Sequence, residues 1–263
     1  LRGGMVARVG VGARNFAPAP RAAMWPSNRL SSYTRWRDER TAAYLGFGEA
    51  MPDLGFEEGL SDDDLAAARA DTDRRYLVVS LRDDTEVAPR PYPTTAWMEG
   101  ITDAARRLGL DLCVVTQVSV DETRSRRLAD DLGADLVGWS RLGDHRSQEE
   151  RLRQVYRRTA VAASDRLHVI IAAATEGAAP VGLQLDDSDK ISRHFDTIGV
   201  RNVAMNTTAM APHRIADRIV EISEQCADGI DAILDARRRL DGVQADLHRL
   251  AGSRAQTAMA PTS

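Results

Sequence analysis

Between residues 76 and 205, short apolar runs alternate with longer polar segments whose apolar residues recur every three to four positions. No other feature constrains the fold as much. Runs of that length punctuated by helical periodicity specify βαβ units, and hence a parallel sheet covered on both faces. The spacing predicts strands over 76–81, 111–116, 135–139, 161–163, 180–185 and 200–205. Helices are predicted over 94–108, 121–132, 148–158 and 191–198, with another opening at Arg166. Crossovers in such sheets are right-handed, and ligands collect beyond the carboxyl ends of the strands. Ser80-Leu81-Arg82 and Ser164-Asp165-Arg166 each follow a strand, so both are expected to face one crevice.

The first 70 residues repeat the pattern less completely. Residues 6–11 read as a strand running into Gly10-Val11-Gly12-Ala13-Arg14-Asn15, residues 33–36 as a short strand, and residues 37–45 as a helix. Met51-Pro52-Asp53-Leu54-Gly55-Phe56 reads as a strand end, and residues 61–75 as a link between two α/β halves. From His213 to Leu250 apolar residues follow helical spacing, which predicts one long amphipathic helix, or two broken near Gly229 or Gly242. Its apolar stripe could cover its own domain or pair in a homodimer. The expected organisation is a partial N-terminal domain over 1–70, a second domain over 76–212, the helix over 213–250 and a disordered tail over 251–263.

A formal net charge of −4 argues against a broad nucleic-acid surface, leaving room for a local basic pocket. Among 35 lysines and arginines, Lys190 is the single lysine, and it falls in the segment Asp187-Ser188-Asp189-Lys190. Two cysteines, Cys113 and Cys226, form no CxxC pattern and fit a reducing compartment. The five histidines show no metal-ligand spacing, so no metal is expected. No apolar run approaches the ~20 residues needed to span a bilayer, and no signal peptide is visible. A cytoplasmic protein is expected, working in solution or at the inner face of the membrane.

Ser164-Asp165-Arg166-Leu167-His168 concentrates the chemistry. A strand ends at a Ser-Asp cap, and a helix begins with Arg and His in its first turn. Unpaired N–H groups at a helix start favour an anion, and a cation with an imidazole adds to that preference. Each residue also has a plainer reading. Arg82 could pair with Asp83 or Asp84, His168 could be satisfied by backbone, Lys190 could be solvated beside Asp187 and Asp189, and Asp38 could cap a helix rather than touch substrate. The Gly10-Val11-Gly12 turn lacks the full dinucleotide-binding spacing and reads as a strand-end turn, with Arg14 and Asn15 as candidate sugar contacts.

Several segments together resemble the polysaccharide pyruvyl transferase family: Arg35-Trp36-Arg37-Asp38-Glu39-Arg40-Thr41, Pro52-Asp53-Leu54-Gly55-Phe56, Ser80-Leu81-Arg82, Asp165-Arg166-Leu167-His168, and Asp187-Ser188-Asp189-Lys190 with Phe195 after it. They occur in the family's order across roughly residues 5 to 205. The resemblance implies two Rossmann-like, parallel-sheet domains of the glycosyltransferase-B (GT-B) type. It also implies transfer of pyruvate from phosphoenolpyruvate onto sugar hydroxyls as a ketal, on a cell-surface polysaccharide or its lipid-linked precursor. Phosphoenolpyruvate is then the donor substrate, no cofactor is needed, and the partners are this donor and a glycan acceptor. On this reading Arg82, Arg166, Leu167, His168 and Lys190 line the donor site, and Arg14, Asn15 and Asp38 lie toward the acceptor. Arg166 and His168 carry the catalysis, with His168 as general acid or phosphate ligand. The family's early strands and Gly-Asp motif have no counterpart here, so an incomplete N-terminal sheet is expected. The competing expectations are a nucleotide-sugar glycosyltransferase of the same architecture and an inactive homologue that only binds glycan or a partner.

Overall fold

The computed structural model describes residues 5–71, 73–83, 90–140 and 144–259. Its first part is a three-stranded parallel sheet, β1 (Ala7–Val11), β2 (Tyr33–Trp36) and β3 (Glu49–Ala50), in that order, linked by α1 (Pro18–Arg29) and α2 (Glu39–Leu45). The β1–β2 register slips between Val9 and Val11, where Gly10 takes a φ of +69°. The sequence pattern gives no hint of α1, because its prolines read as loop. Pro18 stands at the helix start, where its missing N–H costs nothing, while Pro26 lies inside the helix. Trp36 is fully buried beneath this sheet, its indole N–H donating to Phe47 O at 2.7 Å.

Residues 51–56 do not form a strand end. After the two-residue β3 the chain makes a single 3-10 turn, Leu54–Glu57, opened by the Asp53 side chain accepting from Gly55 N–H. The expected link over 61–75 contains α3 (Asp62–Ala67), N-capped by Ser61. Three aspartates in its first turn match the positive helix end.

The second sheet contains β4 (Tyr76–Ser80), β5 (Asp111–Val115), β6 (Asp135–Val137), β7 (Thr159–Ser164), β8 (Ala179–Gln184) and β9 (Ala204–Asn206), all parallel, in the order β6-β5-β4-β7-β8-β9. The helices between them are α4 (Thr95–Leu108), α5 (Glu122–Leu132), α6 (His145–Tyr156), α7 (Leu167–Ala174), α8 (Lys190–Thr197) and α9 (Pro212–Glu224). The predicted elements are thus present, with ends moved by one to four residues. Trp97, Ile101, Ala104 and Ala105 of α4 share one buried stripe with α9 and the sheet. Leu152, Tyr156, Val169 and Ala173 of α6 and α7 cover the opposite face. Each such large apolar side chain contributes about 1.5–3 kcal/mol on burial.

Of the two expectations, one helix or two, the structure has two, broken at Gln225, four residues before Gly229. α9 stops at Glu224 and α10 runs unbroken through both glycines, Cys226–Met259. Helix therefore extends past residue 250, where a disordered tail is expected, and residues 260–263 lie outside the described ones. The apolar stripe of α10 packs within the chain. Ile230, Ile233, Ala236 and Leu240 join Phe56 and Leu65 of the first part with Leu167, Ile170 and Phe195 of the second in one core.

Candidate functional site

The order of the larger sheet reverses between β4 and β7, which start adjacent and send their crossovers to opposite sides. In open α/β sheets this is where ligands bind. Ser80 and Ser164 end those two strands, and Ser164 Oγ donates to Ser80 O at 2.6 Å and accepts Arg166 N–H at 2.9 Å. Asp165 Oδ1 accepts Arg82 N–H at 2.8 Å, while Oδ2 stands 3.2 Å from Arg90 Nη1 and 3.9 Å from Arg82 Nε. The Ser-Asp pair therefore does not cap the following helix, contrary to expectation. The serine ties two strands and the aspartate turns back toward two arginines. α7 opens with Arg166 as N-cap and without a side-chain acceptor. Its positive end meets the crevice uncompensated by a cap.

A polar pocket of about 70 Å³ occupies this point, bordered by Arg82, Arg90, Arg166, His168, Lys190, Asp165 and Asp186, with Leu167 and Gln117 between them. Five of the sequence-predicted residues, Arg82, Arg166, Leu167, His168 and Lys190, thus line one cavity. Leu167 borders it with a side chain otherwise buried in the core joining the two parts. Arg166 is oriented by the fully buried Asp121, which takes its Nε and, at 2.7 Å, its Nη2. Asp83, one of the partners weighed for Arg82, is engaged by Arg124 at 2.9 Å. Asp84 lies outside the described residues. Among the described residues, Arg82 Nε and Arg90 Nε are buried without a hydrogen bond. Burial pushes the Asp165 carboxyl up to about 7, with Arg90 and Arg166 pulling against it and Asp121 and Asp186 adding to the push. Burial together with the charges of Arg37, Arg14 and Arg193 lowers the Lys190 ammonium from its ordinary value, while Asp53 opposes them.

The sequence pattern did not single out Asp53 as a site residue. It lies on the first part of the chain, where Oδ1 accepts Gly55 N–H at 3.0 Å and stands 3.8 Å from His168 Nε2. Its Oδ2 lies 3.5 Å from His194 Nε2 and 3.8 Å from Arg37 Nη1. Burial acts to raise its pKa, but the contacts with His168, Gly55 N–H and His194 outweigh this and bring it down to about 2. An ionised Asp53 beside an exposed His168 is a carboxylate–imidazole pair at the mouth of the pocket. Arg90 and Asp121 were equally silent, because Asp121 read as a helix start and Arg90 lies in a Pro-rich stretch; Asp165 stood out in the segment from Ser164 to His168, but its turn toward Arg82 and Arg90 did not.

The candidates in the first part are placed differently. Asp38 is fully buried and caps α2. It accepts Thr41 N–H and Thr41 Oγ–H, both at 2.7 Å, and stands 3.2 Å from Arg193 Nη1, so it is no part of the pocket lining. Asn15 Oδ1 accepts Ala17 N–H at 2.8 Å and shapes the entry to α1. Arg14 is exposed and acts on the site through its charge on Lys190. Among the described residues, no group of three or more His, Cys, Asp or Glu side chains could hold a metal ion.

No protein-family model matches the sequence, and no curated relative matches it. Solved structures do. Staphylococcus aureus MnaA in complex with UDP is 11% identical, with a TM-score of 0.52, and the match covers 93% of this chain and 68% of that one. A Listeria monocytogenes protein provisionally assigned as a UDP-N-acetylglucosamine 2-epimerase is also 11% identical, with a TM-score of 0.51, covering 93% of this chain and 69% of that one. The likeness shows the fold: an α/β protein of parallel sheets in the GT-B class, ending in a long helix. Among the described residues no helix is long and apolar enough to cross a membrane.

Proposed function

We propose that the chain acts on glycans as a ketal-forming transferase, taking pyruvate from phosphoenolpyruvate. The observation that carries this reading is the small pocket at the strand-order reversal, where three guanidinium groups and the only lysine meet the open start of α7. Phosphoenolpyruvate presents a phosphate and a carboxylate on a three-carbon frame, and charge-assisted hydrogen bonds contribute about 1.5–3 kcal/mol each. Among the described residues Arg82 and Arg90 each keep a buried Nε–H without a hydrogen bond, that of Arg82 lying 3.9 Å from Asp165.

The reaction needs a proton delivered to the methylene carbon, which becomes a methyl group and leaves the neighbouring carbon electron-poor. A sugar hydroxyl adds there and loses its proton, the carbon–phosphate oxygen bond breaks to release phosphate, and a second hydroxyl closes the ketal. Of the two hydroxyl protons, one replaces that given to carbon and the other leaves with phosphate or solvent. On this reading His168, beside ionised Asp53, holds and returns the transferred proton.

A second reading, a nucleotide-sugar transferase or epimerase, draws support from the fold class and from a larger cavity sharing Arg166 and His168 with the small pocket. Calorimetric titration with phosphoenolpyruvate and, in parallel, UDP-N-acetylglucosamine separates the two. Saturable phosphoenolpyruvate binding that weakens at least 30-fold in Arg82→Ala is expected. Binding of the nucleotide-sugar alone would replace pyruvyl transfer with the second reading. Binding of neither by a folded sample would leave a non-catalytic homologue.

A further inference from the structure

A second cavity, of about 460 Å³, adjoins the small pocket and shares Gln117, Arg166 and His168 with it. It lies between the 54–57 turn, the end of β5 and the helices α6 and α7. Its walls include Val118, Leu152, Tyr156 and Ile171, with Glu58 and Glu149 among its polar groups. We propose that this cavity is the acceptor subsite and takes an uncharged pyranose ring. The assignment rests on the pyruvyl-transfer reading for its role, and on the cavity itself for its ligand.

Four observations support it. First, a transferase must bring donor and acceptor to one catalytic group, and His168 borders both cavities. The approach is close: a Cβ on Gly55 would stand 3.2 Å from Ile171 Cγ2 and 4.0 Å from His168 Cδ2, so the turn packs tightly against α7. Second, the volume falls within the roughly 300–1,000 Å³ common to small-molecule sites, whereas the donor pocket admits only a small anionic group. Third, the charges balance. Arg153 is engaged by Glu176 at 3.1 Å, Glu149 at 2.9 Å and Glu58 at 3.9 Å, and Arg166 by Asp121. Among the described lining residues both guanidinium groups are thus already paired with carboxylates, while Glu58 and Glu149 suit hydroxyl donors. Fourth, among the described residues the Tyr156 hydroxyl has no hydrogen-bond partner, on a residue only 1% exposed. A buried unpaired hydroxyl is unfavourable, and a small outward shift of the side chain would bring it to a sugar hydroxyl in the cavity. The ring and the aliphatic side chains offer an apolar wall for the C–H face of a sugar.

The test uses saturation-transfer NMR with the methyl glycosides of glucose, galactose, mannose and N-acetylglucosamine, on the full chain. Val118→Trp fills the cavity and Tyr156→Phe removes only the hydroxyl. The expected result is binding of at least one glycoside, abolished by Val118→Trp and weakened about 10-fold by Tyr156→Phe, with calorimetric phosphoenolpyruvate affinity within twofold of the unmodified protein. Binding of none of the four glycosides would overturn the assignment, as would signals that persist in Val118→Trp. UDP binding that Val118→Trp abolishes would hand the cavity to a nucleotide. Should Val118→Trp not fold, an unchanged glycoside titration in Tyr156→Phe overturns the assignment equally. Glycoside binding lost in Val118→Trp, without phosphoenolpyruvate binding to the unmodified protein, would leave this subsite standing and remove the pyruvyl-transfer reading.

Discussion

Asp165 shows how a single buried carboxyl tunes an anion site. It holds Arg82 through the backbone and Arg90 through a 3.2 Å ion pair, yet burial raises it to about 7. Across the neutral range its charge therefore changes while those of the three arginines around it do not. Below that pH the pocket gains net positive charge, and above it the carboxylate repels an incoming anion. Phosphoenolpyruvate affinity is expected to fall about 5- to 10-fold between pH 6.5 and 8.5, the order of one charge pair at short range in a partly solvated site. Phosphate monoesters complete their second ionisation near pH 6, so the donor's own titration lies largely below this window. Calorimetry across the range on Asp165→Asn should give a flat profile. A slope retained in that variant would place the titrating group elsewhere.

At the level of elements, α10 matters more than an amphipathic stripe suggests. Arg237, 8% exposed, reaches from this helix to the segment that walls the larger cavity. Its guanidinium donates to the carbonyls of Phe56 at 2.9 Å, Leu60 at 2.8 Å and Glu58 at 2.7 Å, and pairs with Asp62 at 2.7 Å. Replacing it leaves three carbonyls and a carboxylate without their donor, a cost of about 3–5 kcal/mol for a buried charge network. Arg237→Ala is expected to lower the denaturation midpoint and to raise hydrogen exchange over 54–62 before it does so in the larger sheet. Uniform protection across both would refute the clamp.

None of this was legible in the sequence, where Arg237 is one of three consecutive arginines on a helix. The βα alternation and the meeting of Arg82 with Arg166 were legible, because strand periodicity and the carboxyl-edge rule fix both. Asp53 and Asp121 were not, since their significance depends on partners 115 and 45 positions away that only the tertiary packing supplies. α1 was hidden by its prolines, and Asp38 read equally as cap or ligand until its carboxylate was found buried against Thr41.

At the scale of the whole molecule, the two parts share a core rather than only meeting across an open cleft. Phe56 of the first packs edge-to-face on Phe195 of the second at 5.5 Å between centroids. His194 lies beside that seam, 1% exposed, with Nδ1 2.7 Å from Lys190 O and Nε2 facing Asp53. Burial lowers it to about 4 against the attraction of Lys190 O and Asp53, with Arg37 adding to the fall, so the imidazole is neutral near pH 7. A base with a depressed folded pKa makes no pH-dependent contribution above its unfolded value near 6.5. As pH falls from there to about 4, the unfolded chain takes a proton that the folded one refuses, and stability is lost. Asp53, held near 2, contributes stability above its ordinary value near 3.8 and loses it only below that, so the two windows separate. From pH 6.5 to 4.5 His194 should cost about 2–3 kcal/mol, roughly 5–10 °C in Tm for a chain of this size. His194→Gln removes the titration and offers Asp53 an amide donor. Asp165, raised to about 7, gains stability over the same interval and opposes this loss, so the reading is the difference between variant and unmodified protein. On acidification the Tm of the variant should shift more favourably than that of the unmodified protein, and an equal shift in both would move the titration away from the seam.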